Sequence, residues 1–95
     1  MTVKNYKPML KELYKEIVKI QDEKECELFF EDLCTVKELE SMSQRLKAAK
    51  MLLENKTYNE IIDETEISSA TLSRVSKSVR YGEGGYKNVI EKADK

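Results

Sequence analysis

Histidine and tryptophan are absent, proline occurs once, and there are only three glycines in the 95 residues. The missing imidazole removes the commonest general base, the usual metal ligand and the side chain that ordinarily changes charge near neutral pH. The carboxylates that remain are scattered without paired spacing, so neither a catalytic site nor a metal site is expected. With few backbone breakers, and 37% charged against 40% hydrophobic residues, the chain reads as a solvated all-α protein. No apolar run approaches the ~18 residues of a membrane span. The start, MTVKNYKPML, has no signal-peptide apolar segment, so a cytoplasmic protein without a membrane partner is expected.

The length corresponds to one domain, able to bury about 60–65% of its unfolded surface. Seventeen basic residues against eighteen acidic ones leave a formal charge of -1, so attraction to a polyanion must come from local placement of charge. Cys26 and Cys34, eight positions apart in a helical stretch, lie about 12 Å apart, beyond disulfide reach. They read as reduced core thiols.

Helical spacing organises the chain. Asn5 to Pro8 opens a first helix, with Leu10, Leu13, Tyr14, Ile17 and Val18 on one face. Asp22 and Glu25 form a start signal for a second, in which Cys26, Phe29, Phe30, Leu33 and Cys34 cover one side and Leu28 widens it, as in a helix buried on more than one face. Thr35 and Glu38 repeat the signal before the stripe Leu39, Met42, Leu46, Ala49 and Leu53, which ends near Asn55. Thr57 and Glu60 start a short helix carrying Tyr58, Ile61 and Ile62 toward Glu64. From Ser68 to Arg80, the residues Leu72, Val75, Ser76 and Val79 share one side, with Gly82 placed as a left-handed terminator. Gly84 and Gly85 mark a tight corner, and Tyr86, Val89 and Ile90 form a last short helix before a charged tail. This divides the single domain 1–95 into a helical dimerisation core (1–56), a helix-turn-helix (57–81) and a C-terminal helix with its tail (82–95).

The segment from Ile61 to Val75 is a short helix, a tight turn and a helix with a hydroxyl-rich start, the order of a helix-turn-helix. In that geometry Ile61, Ile67, Leu72 and Val75 lock the crossing. At about 100° per residue, Ala70, Thr71, Arg74, Lys77 and Ser78 project away from it toward a major groove of double-stranded DNA. Between Ser68 and Tyr81 stand Arg74, Lys77 and Arg80 and no acid, whereas Glu54 to Glu66 holds five acids against Lys56 alone. Ser68, Ser69, Thr71 and Ser73 can cap the helix or bond phosphate and base edges, with Ser68 and Ser69 assigned toward capping and Thr71 toward DNA. Two residues depart from a common helix-turn-helix pattern. Ile62 is bulkier than the small residue usually tucked between the helices. Glu66 stands where glycine is favoured, at a cost of ~1 kcal/mol if it is left-handed. The alternative is a helical protein-interaction module in which the acids from Glu54 to Glu66, or the hydroxyl-rich helix, dock a protein partner with no role at DNA, as the net charge of -1 would suit.

Leu39 to Leu53 (LESMSQRLKAAKMLL), Ser69 to Val75 (SATLSRV) and Tyr81 to Lys87 (YGEGGYK) carry a resemblance to the Trp repressor superfamily, more closely to its YerC/YecD-type branch, over Phe29 to Ile90. That resemblance implies a six-helix intertwined homodimer whose N-terminal and last helices build a shared core. It also implies a transcriptional regulator with a paired helix-turn-helix set on a near-palindromic operator. It places two arginines that grip a small-molecule corepressor at Arg45 and Arg74. Val75 stands where the family has a small glycine that makes room for an indole ring, which counts against tryptophan itself.

Overall fold

The computed structural model describes residues 6–92. Among them are six helices and no strand: α1 (Tyr6–Ile17), α2 (Glu23–Leu33), α3 (Val36–Leu53), α4 (Tyr58–Thr65), α5 (Ser69–Tyr81) and α6 (Gly85–Ile90). The all-α expectation holds. Asn5, expected to open the first helix, and the end of the charged tail (93–95) lie outside the described residues. No helix among those described is long and apolar enough to cross a membrane. The chain forms two compact units, Met1–Val36 and Lys37–Lys95.

In the first unit, Pro8 sits in the first turn of α1, where its missing N–H leaves no helical bond unmade. The signal at Asp22 and Glu25 is a reciprocal cap: Asp22 Oδ1 accepts from the Glu25 N–H at 2.8 Å, and Glu25 Oε1 accepts from the Gln21 N–H at 2.9 Å. The Phe29 and Phe30 rings meet edge to face at 5.6 Å. Yet neither α1 nor α2 holds a buried residue. The expectation that α2 is buried on more than one face is therefore corrected for the single chain: Leu28 and Leu33 are exposed, and Cys26 and Cys34 are half-buried free thiols outside any core. Two short helices cannot by themselves enclose an apolar band wider than one face.

The second unit has a closed core. Ala48, Ala49 and Met51 of α3, Ile61 of α4, Ile67 in the turn, and Leu72 and Val75 of α5 form one buried cluster, with Leu52, Ile62, Val79, Tyr86 and Ile90 packed on it. Ile62, bulkier than the pattern favours, is accommodated as part of this packing. The stripe read along α3 is only partly the core face. Ala49 is buried, but Leu46 remains 43% exposed while Ala48 and Met51 are buried instead. At about 100° per residue, Ala48, Met51 and Leu52 face away from Leu39, Met42, Leu46 and Leu53, so α3 is apolar on two sides and its own chain covers one.

Helix ends follow local chemistry. Past α3, Asn55 is left-handed (φ 63), and the N–H groups of Asn55 and Lys56 return to the carbonyls of Leu52 and Met51 at 3.0 Å each, a Schellman closure. Thr57 accepts from the Glu60 N–H at 3.2 Å and donates to Glu60 Oε1 at 3.1 Å, starting α4. Gly82 is not the left-handed terminator expected of it, since its φ is -82. A Cβ there would run into the Ser78 carbonyl oxygen, so glycine is required by close approach. The left-handed glycine is Gly84 (φ 86), immediately before α6.

Candidate nucleic-acid interface

The turn between α4 and α5 is held at several points. Glu66 is left-handed (φ 59, ψ 20), and its N–H reaches the Ile62 carbonyl at 2.8 Å, the single-bond form of a left-handed helix end. Thr65 Oγ1 donates to the Ile61 carbonyl at 2.7 Å and accepts from the Ile67 N–H at 3.2 Å. From α3, Gln44 Nε2 donates to the Thr65 carbonyl at 3.1 Å, and Lys47 pairs with Glu64 at 3.2 Å. Ile67 then drops into the core beside Ile61, Leu72 and Val75, so the four residues read as the lock of a helix-turn-helix do meet.

Burial of Leu72, Val75 and Ser76 fixes which face of α5 points outward. Ser68, Ser69, Ala70, Ser73, Arg74, Lys77, Ser78 and Arg80 are exposed, and Thr71 is half-buried. The cap is Ser68, whose Oγ accepts from the Thr71 N–H at 3.1 Å and donates to Thr71 Oγ1 at 2.9 Å. Ser69, assigned toward capping from the sequence, is instead the first helical residue, one position too late to reach the free N–H groups. Arg74, Lys77 and Arg80 form no ion pair among the described residues, so three cations stand on one exposed helix without a compensating carboxylate. Long-range attraction to a polyanion is therefore available there despite the net charge of -1.

Arg45 and Arg74 are brought together. Both line a cavity of about 280 Å³, with Ser41 from α3, Thr71 and Ser78 from α5, and Val75 and Tyr86 forming the apolar part of its wall. Arg45 is half-buried and donates to Ser41 Oγ at 2.8 Å. Neither Ser41 nor Tyr86 is marked as a site residue by the sequence. Ser41 lies one turn before Arg45, a spacing that allows the observed bond, but nothing local ties Tyr86 to the arginines, because its place depends on the corner at Gly84.

Comparison with known proteins identifies the family and the fold. The family model described as Trp repressor protein matches residues 8–94. YerC of Bacillus subtilis (strain 168), itself uncharacterised, is 42% identical over 83 residues, covering 87% of this chain and 80% of that protein. The crystal structure of a Staphylococcus aureus protein provisionally assigned as a Trp repressor superposes with a TM-score of 0.85 at 39% identity, covering 95% of this chain and 93% of the other. A TrpR-like protein from Eubacterium eligens ATCC 27750 does so with a TM-score of 0.84 at 44% identity, covering 88% and 87%.

Proposed function

The chain belongs to the Trp repressor family, and from that premise we propose that it is a dimeric, sequence-specific DNA-binding regulator of transcription acting in the cytoplasm. Each protomer presents α5 to a major groove, and the two helices engage half-sites about 34 Å apart on a near-palindromic operator. The carrying observation is the exposed face of α5: Arg74, Lys77 and Arg80 without acid partners, beside the hydroxyls of Ser69 and Ser73, on a helix whose opposite side is locked into the core. Lys77 and Arg80 hold the phosphate backbone, while Thr71, Arg74 and their neighbours reach base edges.

Support for pairing of two chains comes from apolar surface that one chain leaves uncovered. The helices of the first unit contain no buried residue, and α3 has a second apolar side. A mobility-shift titration of the full chain against random and genomic duplexes tests the reading. With Lys77 and Arg80 of each of two protomers at phosphate, the log–log salt slope is expected to be roughly −4. Absence of binding even at low salt overturns it in favour of a protein-interaction module.

A further inference from the structure

Tyr81 and Tyr86 stand on either side of the glycine corner and are used differently. Tyr86 packs on the core cluster, whereas Tyr81, the last residue of α5, is 82% exposed. Its phenol makes no hydrogen bond and its ring joins no aromatic pair among the described residues. Its position is nevertheless fixed by the backbone. The Gly82 N–H returns to the Ser78 carbonyl at 3.0 Å, and glycine is required there because a Cβ would run into the same oxygen. The helix therefore keeps its form up to Tyr81.

Around the axis of α5, Tyr81 stands about 180° from the buried Leu72, but only about 20° from Arg74 and about 40° from Lys77. The ring thus continues the exposed cationic stripe and not the apolar side of the helix. Along the axis it lies about 10 Å beyond Arg74 and about 6 Å beyond Lys77. A major groove is about 12 Å wide. A helix whose N-terminal residues lie over base edges therefore brings a side chain that far along to the sugar-phosphate wall.

We propose that Tyr81 is an uncharged backbone anchor of α5, its phenol donating to a phosphate oxygen and its ring lying against the adjoining deoxyribose. This rests on the DNA-binding reading above and extends the contact face one residue beyond Arg80. The neighbours of the ring choose the partner. No acid stands between Ser68 and Tyr81, and Arg74 and Lys77 on the same stripe form no ion pair among the described residues. An apolar protein surface laid over the ring would have to desolvate those two charges without compensation, whereas a polyanion pairs them. A neutral donor at phosphate neutralises no charge and releases no counterion, so Tyr81 adds affinity without adding to the salt slope.

The test uses the full chain and a duplex that it retains in the mobility-shift titration. Wild type, Tyr81→Phe and Tyr81→Ala are titrated over a range of salt, with helicity followed by circular dichroism and mass by sedimentation. Tyr81→Phe is expected to weaken binding roughly 10- to 100-fold, the range for a hydrogen bond to a charged group, and Tyr81→Ala further, since the ring contact goes as well. Both losses should be the same on every sequence, with salt slope, helicity and mass unchanged. Duplexes carrying a single methylphosphonate, which lacks one charged phosphate oxygen, locate the contact. At one position in each half-site this replacement should weaken wild type more than Tyr81→Phe.

The proposal is overturned if both variants bind as wild type does, or if their loss is confined to one base pair, which would make Tyr81 a base reader. It is also overturned if either variant changes the mass, which would place the ring between two copies of the chain. A wild-type chain that binds no duplex even at low salt removes the DNA reading and this contact together. Binding that depends on Lys77 but is indifferent to Tyr81 removes the contact alone.

Discussion

Gln44 Nε2 in α3 donates to the backbone carbonyl of Thr65, the last residue of α4, at 3.1 Å. That carbonyl is one of those a helix end leaves without an internal partner, and the bond is partly buried. The side chain therefore does for α4 what a cap does, while fixing the turn between α4 and α5 against the long helix beside it. Replacing Gln44 with Ala removes this side-chain donor from the carbonyl and should cost about 1–2 kcal/mol of stability in urea unfolding. A change within a few tenths of a kcal/mol would show that water replaces it without loss.

Glu66 adopts the left-handed conformation that its position in the turn demands (φ 59), so the cost anticipated for a non-glycine residue is present in the fold. Glu66→Gly removes the Cβ strain of ~1–2 kcal/mol but adds freedom to the unfolded chain worth about 0.4–1 kcal/mol. The net expectation is a gain of between zero and about 1.6 kcal/mol in thermal or urea unfolding, measured without DNA so that electrostatics at the duplex do not enter. A destabilised variant would mean that the Glu66 side chain contributes more than its conformation costs.

These two residues mark what was legible in the sequence and what was not. The need at position 66, the boxes at Asp22 and Thr57 and the lock of Ile61, Ile67, Leu72 and Val75 are readable because each depends on spacing within a few residues or on one helical face. The stripe along α3 shows one apolar side only; that helix is apolar on two faces, and periodicity alone does not say which one the same chain covers. Gly82 was assigned the wrong reason, since its constraint is the Ser78 carbonyl rather than its own φ. Tyr86 reaches the two-arginine cavity only through the corner at Gly84, a tertiary relationship without local signature.

Ser68 and Ser69 separate capping from contact. Ser68→Ala loses the acceptor for the Thr71 N–H and should cost about 0.5–2 kcal/mol. Ser69→Ala, at the first helical position, should change stability by less than about 0.5 kcal/mol and alter DNA binding instead. Chemical unfolding of both variants distinguishes them, and equal losses would return Ser69 to a capping role.

Backbone and base contacts on α5 are separable by the pattern of loss across sequences. Lys77→Gln should weaken binding to every duplex alike and reduce the salt slope by about 1 per protomer. Thr71→Ala or Ser73→Ala should change preference at one base pair, by about 1–3 kcal/mol of discrimination, with the slope unchanged. Competition titrations with a randomised site measure both, and uniform losses for all three variants would contradict the division of labour.

Leu46 tests the pairing of chains. It is 43% exposed, on the side of α3 opposite the buried Ala48 and Met51, and it lines an apolar groove with Tyr86, Val89 and Ile90. A surface of this kind is normally covered, since large contiguous apolar patches are uncommon on monomers. Sedimentation of the full chain at micromolar concentration should give twice 11.1 kDa. Leu46→Glu puts an unpaired charge into the contact at two symmetry-related places, each costing several kcal/mol, while leaving the cluster around Leu72 untouched. It should therefore shift the protein to monomer with most helicity retained and abolish high-affinity operator binding, because a single α5 spans one half-site. A wild-type chain that stays monomeric at all concentrations, or a Leu46→Glu variant that dimerises as well as wild type, would remove this face from the interface.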